Sequence, residues 1–204
     1  MKITKELRLG FPLETEKVGT ALVYSIPVRR DTFNLYYREL GAVFNECYGG
    51  DEQGIHLALI GPQIALSSLQ NASRAMKTWD KPGGVEAGFV NELIRLTSVS
   101  YADPDGGGWK TLPLDTAREA GLIDDDERAE VLSALVFFTA ACWVGPKLLV
   151  EAMLPVIGES LGWETGSFSS TEQIASWQKS IRDASTDAKA PETPETEGLS
   201  SIIA

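Results

Sequence analysis

Two short stretches of the sequence carry residue types that bind ligands or do chemistry, and the glycine-rich one is the more suggestive. Residues 105–110 read DGGGWK, which brings three glycines and a lysine together as in a phosphate-binding loop. A Walker loop, however, requires GxxxxGK[ST] between a strand and a helix, and a dinucleotide loop requires GxGxxG at the start of a helix. Trp109 separates Gly108 from Lys110, and Pro113 blocks a helix directly behind the glycines. The sequence therefore predicts a turn and no phosphate site.

A run of three aspartates, Asp124, Asp125 and Asp126, has the residue type that binds calcium or magnesium. A calcium loop alternates its ligands with other residues and ends on a bidentate glutamate at a fixed spacing. This run does not alternate, and it directly precedes a long stretch of apolar residues at helical spacing. Carboxylates stabilise the N-terminus of a helix, so the sequence predicts a helix cap here and no metal site.

The histidine and cysteine content limits nucleophilic and metal chemistry further. His56 is the only histidine, which excludes a multi-histidine zinc site and leaves one imidazole for acid–base work. Its apolar neighbours Ile55 and Leu57 favour a packed or surface-exposed histidine. Cys47 and Cys142 lie among apolar residues at helical spacing, which favours buried free thiols in a reducing compartment over a disulfide. We therefore predict no catalytic residue, no metal ligand and no cofactor.

Composition excludes several classes of partner. The 204 residues are 43% hydrophobic, enough for one domain with a substantial core. A formal net charge of −11 argues against sequence-independent binding to nucleic acid and against adsorption to an anionic membrane. The start, MKITKELRLG, lacks the apolar run of a signal peptide, and the uncharged stretch at 131–146 is shorter than the ~20 residues that span a bilayer. We expect a cytoplasmic protein with a buried helix at that stretch.

Apolar periodicity predicts a mainly α-helical fold with a small N-terminal β-hairpin. The hairpin joins strands at 2–10 and 18–28, because the segment ALVYSIPV is rich in β-branched and aromatic residues. Pro62 is expected to kink or restart a helix that begins at Gly54. The remaining predicted helices start at residue 31 or 32, at 85, at 114, behind the aspartate run, and at the capping-box pattern of Ser169 with Glu172.

Composition also divides the chain into three parts, a hairpin at 1–30, a helical domain at 31–182 and a tail at 183–204. The tail contains five acidic residues, one lysine, two prolines and no aromatic residue. Such a segment cannot bury enough apolar area to offset the entropy of ordering it. A disordered acidic C-terminal tail is therefore predicted.

The order of these signals resembles the tail assembly chaperones of long-tailed bacteriophages. A short β segment ending in IPVRR precedes a helix that contains FNLYY and closes at Tyr48–Gly49. Residues 107–114 read GGWKTLPL, and they are followed by GLID, EV and finally ALVFFT, which ends at residue 139. The resemblance covers roughly residues 18–182. It depends on the order of these motifs along the chain, because turn glycines and apolar helices are each common in proteins.

The resemblance implies a helical protein without catalytic activity that coats the tape-measure protein in the host cytoplasm and helps to recruit the major tail (tube) protein. It also implies self-association along the tape-measure protein and absence from the mature virion. Two alternatives remain open from the residues. One is a structural virion component, such as a neck, tail-completion or capsid-associated protein. The other is a small enzyme that uses His56 or the run at Asp124.

Aromatic and apolar residues beside loops are the candidates for partner binding. Three tryptophans lie next to glycine or proline, where an exposed ring would be available as an anchor; the alternative is that they cover the core. The end of the acidic tail turns apolar again and is either a docking peptide or a frayed end. The candidate set is Trp79, Trp109, Trp163, Leu199, Ile202 and Ile203.

Overall fold

The computed structural model describes residues 8–48, 54–103, 107–145 and 147–187. The hairpin predicted at the N-terminus is present as β1 (Arg8–Thr15) and β2 (Gly19–Ser25), and residues 2–7 of the predicted first strand lie outside the described residues. It is joined by β3 (Thr97–Ala102), β4 (Trp109–Pro113) and β5 (Glu164–Gly166). Together they form one antiparallel sheet in the order β4-β3-β2-β1-β5. The prediction of a mainly α fold with only a small hairpin is therefore wrong, because the fold is mixed α/β.

Alternation along the central strands gives the sheet two different faces. Leu9, Phe11 and Leu13 of β1 lie on one face and are buried. In register with them on β2 are Ser25, Val23 and Ala21. Val99 of β3 continues this apolar row beside Val23. This face packs against the helices and forms one side of the main core.

The glycine-rich stretch lies in the connection between β3 and β4. Gly108 has a φ of 84°, and the backbone N–H of Asp103 donates to the carbonyl of Gly108 at 2.7 Å. Lys110 forms an ion pair with Asp103 at 2.6 Å. The predicted turn is confirmed by these contacts, and it connects two strands; residues 104–106 of the stretch lie outside the described residues.

Helices occupy most of the rest of the described chain. The predicted first helix is divided at Tyr36, and the predicted third helix consists of a π-helix at Val85–Val90 and a short α-helix. Pro62 lies inside one continuous helix, so no new helix starts there. The α-helices are α1 (Arg30–Leu35), α2 (Tyr37–Tyr48), α3 (Gly54–Ala75), α4 (Asn91–Arg95), α5 (Leu114–Glu119), α6 (Asp125–Val144), α7 (Lys147–Leu161) and α8 (Ser170–Asp187).

The aspartate run starts α6 as predicted. Asp124 is the N-cap and accepts the backbone N–H of Glu127 at 2.7 Å, while the Glu127 carboxylate accepts the backbone N–H of Asp124 at 2.7 Å. Every residue of α6 from 131 to 142 is buried. The prediction of a buried helix is confirmed, and α2 and α3 pack directly against it.

α8 covers the other face of the sheet. Its own capping box pairs Ser169 with Glu172, as predicted. One turn later Gln173, 3% exposed, reaches over Gly10 and donates its side-chain N–H to the carbonyl of Val23 at 3.1 Å. α8 continues to Asp187, and residues 188–204 of the predicted tail lie outside the described residues. In the described part of the chain, no helix has the length and apolarity needed to cross a membrane.

Candidate interaction surface

The residues whose types could bind a metal or act in catalysis have structural roles where the structure describes them. Asp125 forms an ion pair with Arg118 at 2.5 Å, and this guanidinium holds the pKa of the carboxyl below its usual range. Among the described residues no group of three or more His, Cys, Asp or Glu side chains is placed to hold a metal ion. His56 belongs to α3, and its side chain lies outside the described part.

Both cysteines are buried free thiols, as predicted. Burial raises the pKa of Cys47 to about 12 and also raises the pKa of Cys142 strongly. The reactive form of cysteine is the thiolate. Neither side chain is therefore suited to nucleophilic chemistry near neutral pH.

The three candidate tryptophans all make contacts within the chain. Trp79 is 8% exposed, and the Arg74 guanidinium lies 5.9 Å from its ring centre. Trp163 is half-buried and packs against Phe11, with ring centres 5.4 Å apart. These contacts favour a role in covering the core, and partner binding by these rings stays a prediction.

Trp109 lies at the start of β4 and meets Trp177 of α8 edge to face, with ring centres 5.4 Å apart. It is half-buried, and it attaches α8 to the edge of the sheet. The remaining candidates, Leu199, Ile202 and Ile203, lie outside the described residues.

Three exposed large apolar side chains lie on α1, at the start of α2 and just after α3, while the others among the described residues are Ile26, Leu148 and Val156. Leu35 is 75% exposed and Tyr37 is 54% exposed, and Met76 at the end of α3 is 43% exposed. Single exposed apolar residues are normal on protein surfaces, whereas a group of them ringed by polar residues marks an interaction site. We call this surface the basic corner and define it by residues 29–39 and 74–81.

The inward orientation of Tyr36 creates the corner. Its ring is buried against Phe89, with centres 5.7 Å apart, and its hydroxyl donates to the carbonyl of Gly83 at 3.0 Å. The backbone at Tyr36 leaves the helical conformation, with φ −120° and ψ 20°. Because Tyr36 points inward at this break, its neighbours Leu35 and Tyr37 are left on the surface.

The end of α3 meets the start of α2 in the same region. The buried carboxylate of Glu39 accepts a hydrogen bond from the Thr78 hydroxyl at 2.7 Å. The backbone N–H of Val85 donates to the carbonyl of Thr78 at 2.9 Å, which ties the loop to the π-helix. Lys77 has a φ of 57° where the chain turns out of α3. The basic residues at the end of α3 therefore lie beside the start of α2.

The corner is positively charged in a strongly acidic protein. Residues 29–39 and 74–81 contain six basic and three acidic residues, against a net charge of −11 for the chain. Of the three acids, Glu39 is buried, while Asp31 and Asp80 are exposed, as is Glu86 on the neighbouring π-helix. The basic residues are Arg29, Arg30, Arg38, Arg74, Lys77 and Lys81.

Local contacts hold some of these cations without neutralising the whole group. The Arg38 Nε donates to the Tyr37 hydroxyl at 3.1 Å, with the guanidinium 5.9 Å from the ring centre. Arg95 binds Glu92 through two hydrogen bonds of 2.7 and 2.8 Å. Arg95, with a smaller contribution from Arg29, holds the pKa of the Glu92 carboxyl below its usual range. The corner therefore suits an anionic partner with apolar side chains.

Comparison with protein-family models, curated proteins and solved structures found no match for the chain. The basic corner is thus interpreted from its own geometry and charge.

Sequence reasoning did not find the corner. Of the residues that define the corner, only Trp79 was among the predicted partner-binding candidates, and its ring is buried. The clustering of Arg29, Arg30 and Arg38 in an acidic chain was the available signal. The break at Tyr36 has no glycine or proline to mark it, so the orientation of Leu35 and Tyr37 depends on tertiary contacts.

Proposed function

We propose that this chain is an interaction protein of phage tail assembly, a chaperone that coats the tape-measure protein and helps to recruit tail-tube subunits. The observation that carries the proposal is the exposed apolar group of Leu35, Tyr37 and Met76 within a basic rim. Such a surface fits the apolar stripe of an amphipathic helix with acidic flanks. In this proposal the protein acts in the host cytoplasm and leaves before the virion is complete.

The order of motifs from GGWKTLPL to ALVFFT supports the proposal through the fold, because these motifs supply core residues and not the surface. Its segments form β4, α5 and α6, and its apolar residues include the buried Leu114, Ala117 and Ile123. These residues specify packing between the sheet and the central helix. Partner contacts must therefore come from the surface, where the basic corner is the best-equipped region among the described residues.

A coating role also requires many weak sites on one long partner. Several copies bound side by side gain strength through effective concentration, without tight binding at any single site. A small apolar group with charged neighbours suits this requirement, because it buries a limited area per copy. Each copy can then be displaced when the tail tube assembles.

Co-expression with a tape-measure protein tests the proposal. The unaltered chain should raise the soluble fraction of the partner, and Leu35→Ser with Tyr37→Ser should abolish the gain. Leu148→Ser is the matched control, since Leu148 on α7 is 81% exposed and lies outside the corner. No gain in solubility with the unaltered chain would contradict the proposal, and recovery of the protein from purified virions by mass spectrometry would favour a structural virion component instead.

A further inference from the structure

α8 lies on the outer face of the sheet, the face away from the main core, with little apolar contact. Among the α8 side chains that the structure describes, Gln173 alone is buried, and it is polar. Ile174 and Trp177 are only half-buried. Burial of apolar surface is the main favourable contribution to the docking of a helix. The attachment of α8 to the sheet therefore depends largely on a few directed contacts.

Two of these contacts lie one helical turn apart. Gln173 donates to the carbonyl of Val23 in the space above Gly10. Trp177 meets Trp109 edge to face at the other side of the sheet. Both contacts are lost together if the helix moves away, because they involve neighbouring turns of the same face of α8.

The chain just before α8 has a firmer attachment. The carbonyl of Phe168 accepts a hydrogen bond from the Arg8 guanidinium at 2.7 Å and one from the Tyr24 hydroxyl at 3.2 Å. The rings of Phe168 and Tyr24 also pack together, with centres 6.2 Å apart. This segment can stay in place while the helix behind it moves.

The side chains beneath α8 form a layer of their own. Leu22 of β2 lies directly opposite Ser100 of β3, and both are 1% exposed. α8 crosses this pair, because β2 and β3 lie between Gly10 on β1 and Trp109 on β4. Leu22 is not part of the main core cluster, which its neighbour Val23 joins from the opposite face. The core can therefore stay intact without the cover over Leu22.

We infer that α8 is a strap that opens as a unit while the rest of the fold stays intact, and that opening exposes Leu22, Ser100 and Trp109. The sheet keeps its strand pairing in the open state, because α8 contributes no strand. A free helix of 18 residues is marginal in water, so the open strap loses its helical structure. Opening is thus a local unfolding event that costs less free energy than global unfolding.

The strap controls access to one of the candidate partner-binding residues. In the closed state the ring of Trp109 packs against Trp177. A partner can use Trp109 as an anchor only after the strap opens. This consequence rests on the proposed function, whereas the opening is a property of the chain alone. Its test needs no tape-measure protein, and it can fail while the proposed function stands.

Thiol accessibility tests the opening with two matched substitutions. Ser100 and Ser25 are both buried, and the hydroxyl of each shares a hydrogen bond with a threonine hydroxyl, at 2.8 and 2.9 Å. Ser100 lies under α8, while Ser25 faces the core. Iodoacetamide should modify Ser100→Cys in the native protein at a rate set by opening. It should modify Ser25→Cys, like the native thiols Cys47 and Cys142, only on global unfolding.

Weakening the strap should speed modification at position 100. Gln173→Ala removes the hydrogen bond to Val23, so the rate of modification of Ser100→Cys should rise about tenfold. Gln63→Ala is the matched control, since Gln63 is an exposed glutamine on α3. It should leave the rate unchanged, and an equal rise in the control would show that the strap is not responsible.

Hydrogen exchange of the unaltered chain provides an independent measurement. The amides of α8 should exchange together, with a weaker dependence on urea than those of α6 and β2. Three results would overturn the inference. They are modification of Ser100→Cys no faster than of Ser25→Cys, exchange of α8 at the rate and urea dependence of α6, and protection that declines steadily from the end of α8 to its start, which indicates fraying.

Discussion

The contact between Gly10 and Gln173 predicts a strong energetic coupling between β1 and α8. A Cβ added at Gly10 would overlap the side-chain amide of Gln173, which is 3% exposed and donates to the carbonyl of Val23. Gly10→Ala must therefore displace a buried polar side chain. Overpacking of this kind costs about 1–3 kcal/mol, although alanine by itself is better suited to a strand than glycine.

Gln173→Ala should be destabilising for a different reason. It removes the hydrogen bond to Val23 and leaves a space above Gly10, and together these should lower the free energy of unfolding by about 1–3 kcal/mol. In the double variant the new methyl group on residue 10 fills part of that space and no longer meets the amide. The two effects should therefore be less than additive, by at least about 1 kcal/mol.

Urea unfolding of the four proteins in this double-mutant cycle measures the coupling directly. In a matched control cycle, Lys110→Ala takes the place of Gln173→Ala. Lys110 lies on β4, which is not paired with β1, so the effects of Gly10→Ala and Lys110→Ala should be additive. Additive effects of Gly10→Ala and Gln173→Ala would refute the conclusion that the glutamine side chain occupies the space above Gly10.

Three further predictions follow from the caps, the ion pair and the buried thiols. Asp124→Ala should lower the free energy of unfolding by about 0.5–2 kcal/mol through loss of the α6 cap, and Asp124→Asn should restore most of it in the same urea assay. The pKa of Asp125 is held low by Arg118, so the stabilisation is present above the carboxyl's ordinary pKa and is lost as pH falls through the lower value of the folded state. NMR titration should show the pKa of Asp125 rising in Arg118→Ala, and an unchanged pKa would contradict the pairing. Iodoacetamide should leave Cys47 and Cys142 unmodified in the native protein at pH 7.5 and modify both in denaturant; rapid modification without denaturant would show that they are accessible.

Local signals in the sequence predicted the elements that depend on local chemistry. The caps at Asp124 and Ser169 and the buried stretch of α6 were predictable, because a helix is specified by neighbours three and four positions apart. The first hairpin was predictable for a similar reason, since its strands are separated by only a short turn. Its exact bounds differ, with β1 reaching Thr15.

The rest of the sheet depends on contacts that a local pattern cannot show. The segment at Thr97–Ala102 is short and follows directly on an apolar helical stripe, so its β-branched and aromatic residues were not separated from that stripe. The three residues of β5 acquire their strand conformation from pairing with Arg8, Leu9 and Gly10, more than 150 positions earlier. Partners at such separation are chosen by tertiary packing.

The candidate surface was also hidden from local reasoning. Tyr36 and Tyr37 are identical in type and adjacent, yet one is 8% and the other 54% exposed. The difference arises from the hydrogen bond of Tyr36 to Gly83 and its contact with Phe89, both in distant segments. Hydrophobicity alone could not tell which of the two rings is exposed to solvent.

Size-exclusion chromatography with light scattering, applied to the chain co-purified with a tape-measure protein, tests the central claim most directly. We predict a soluble complex with several copies of the chain per partner, lost when Leu35 and Tyr37 are both replaced by serine and retained in Leu148→Ser. A chain that elutes at the same mass with and without the partner, or a complex that forms equally well without Leu35 and Tyr37, would contradict the assignment of the basic corner as the binding surface.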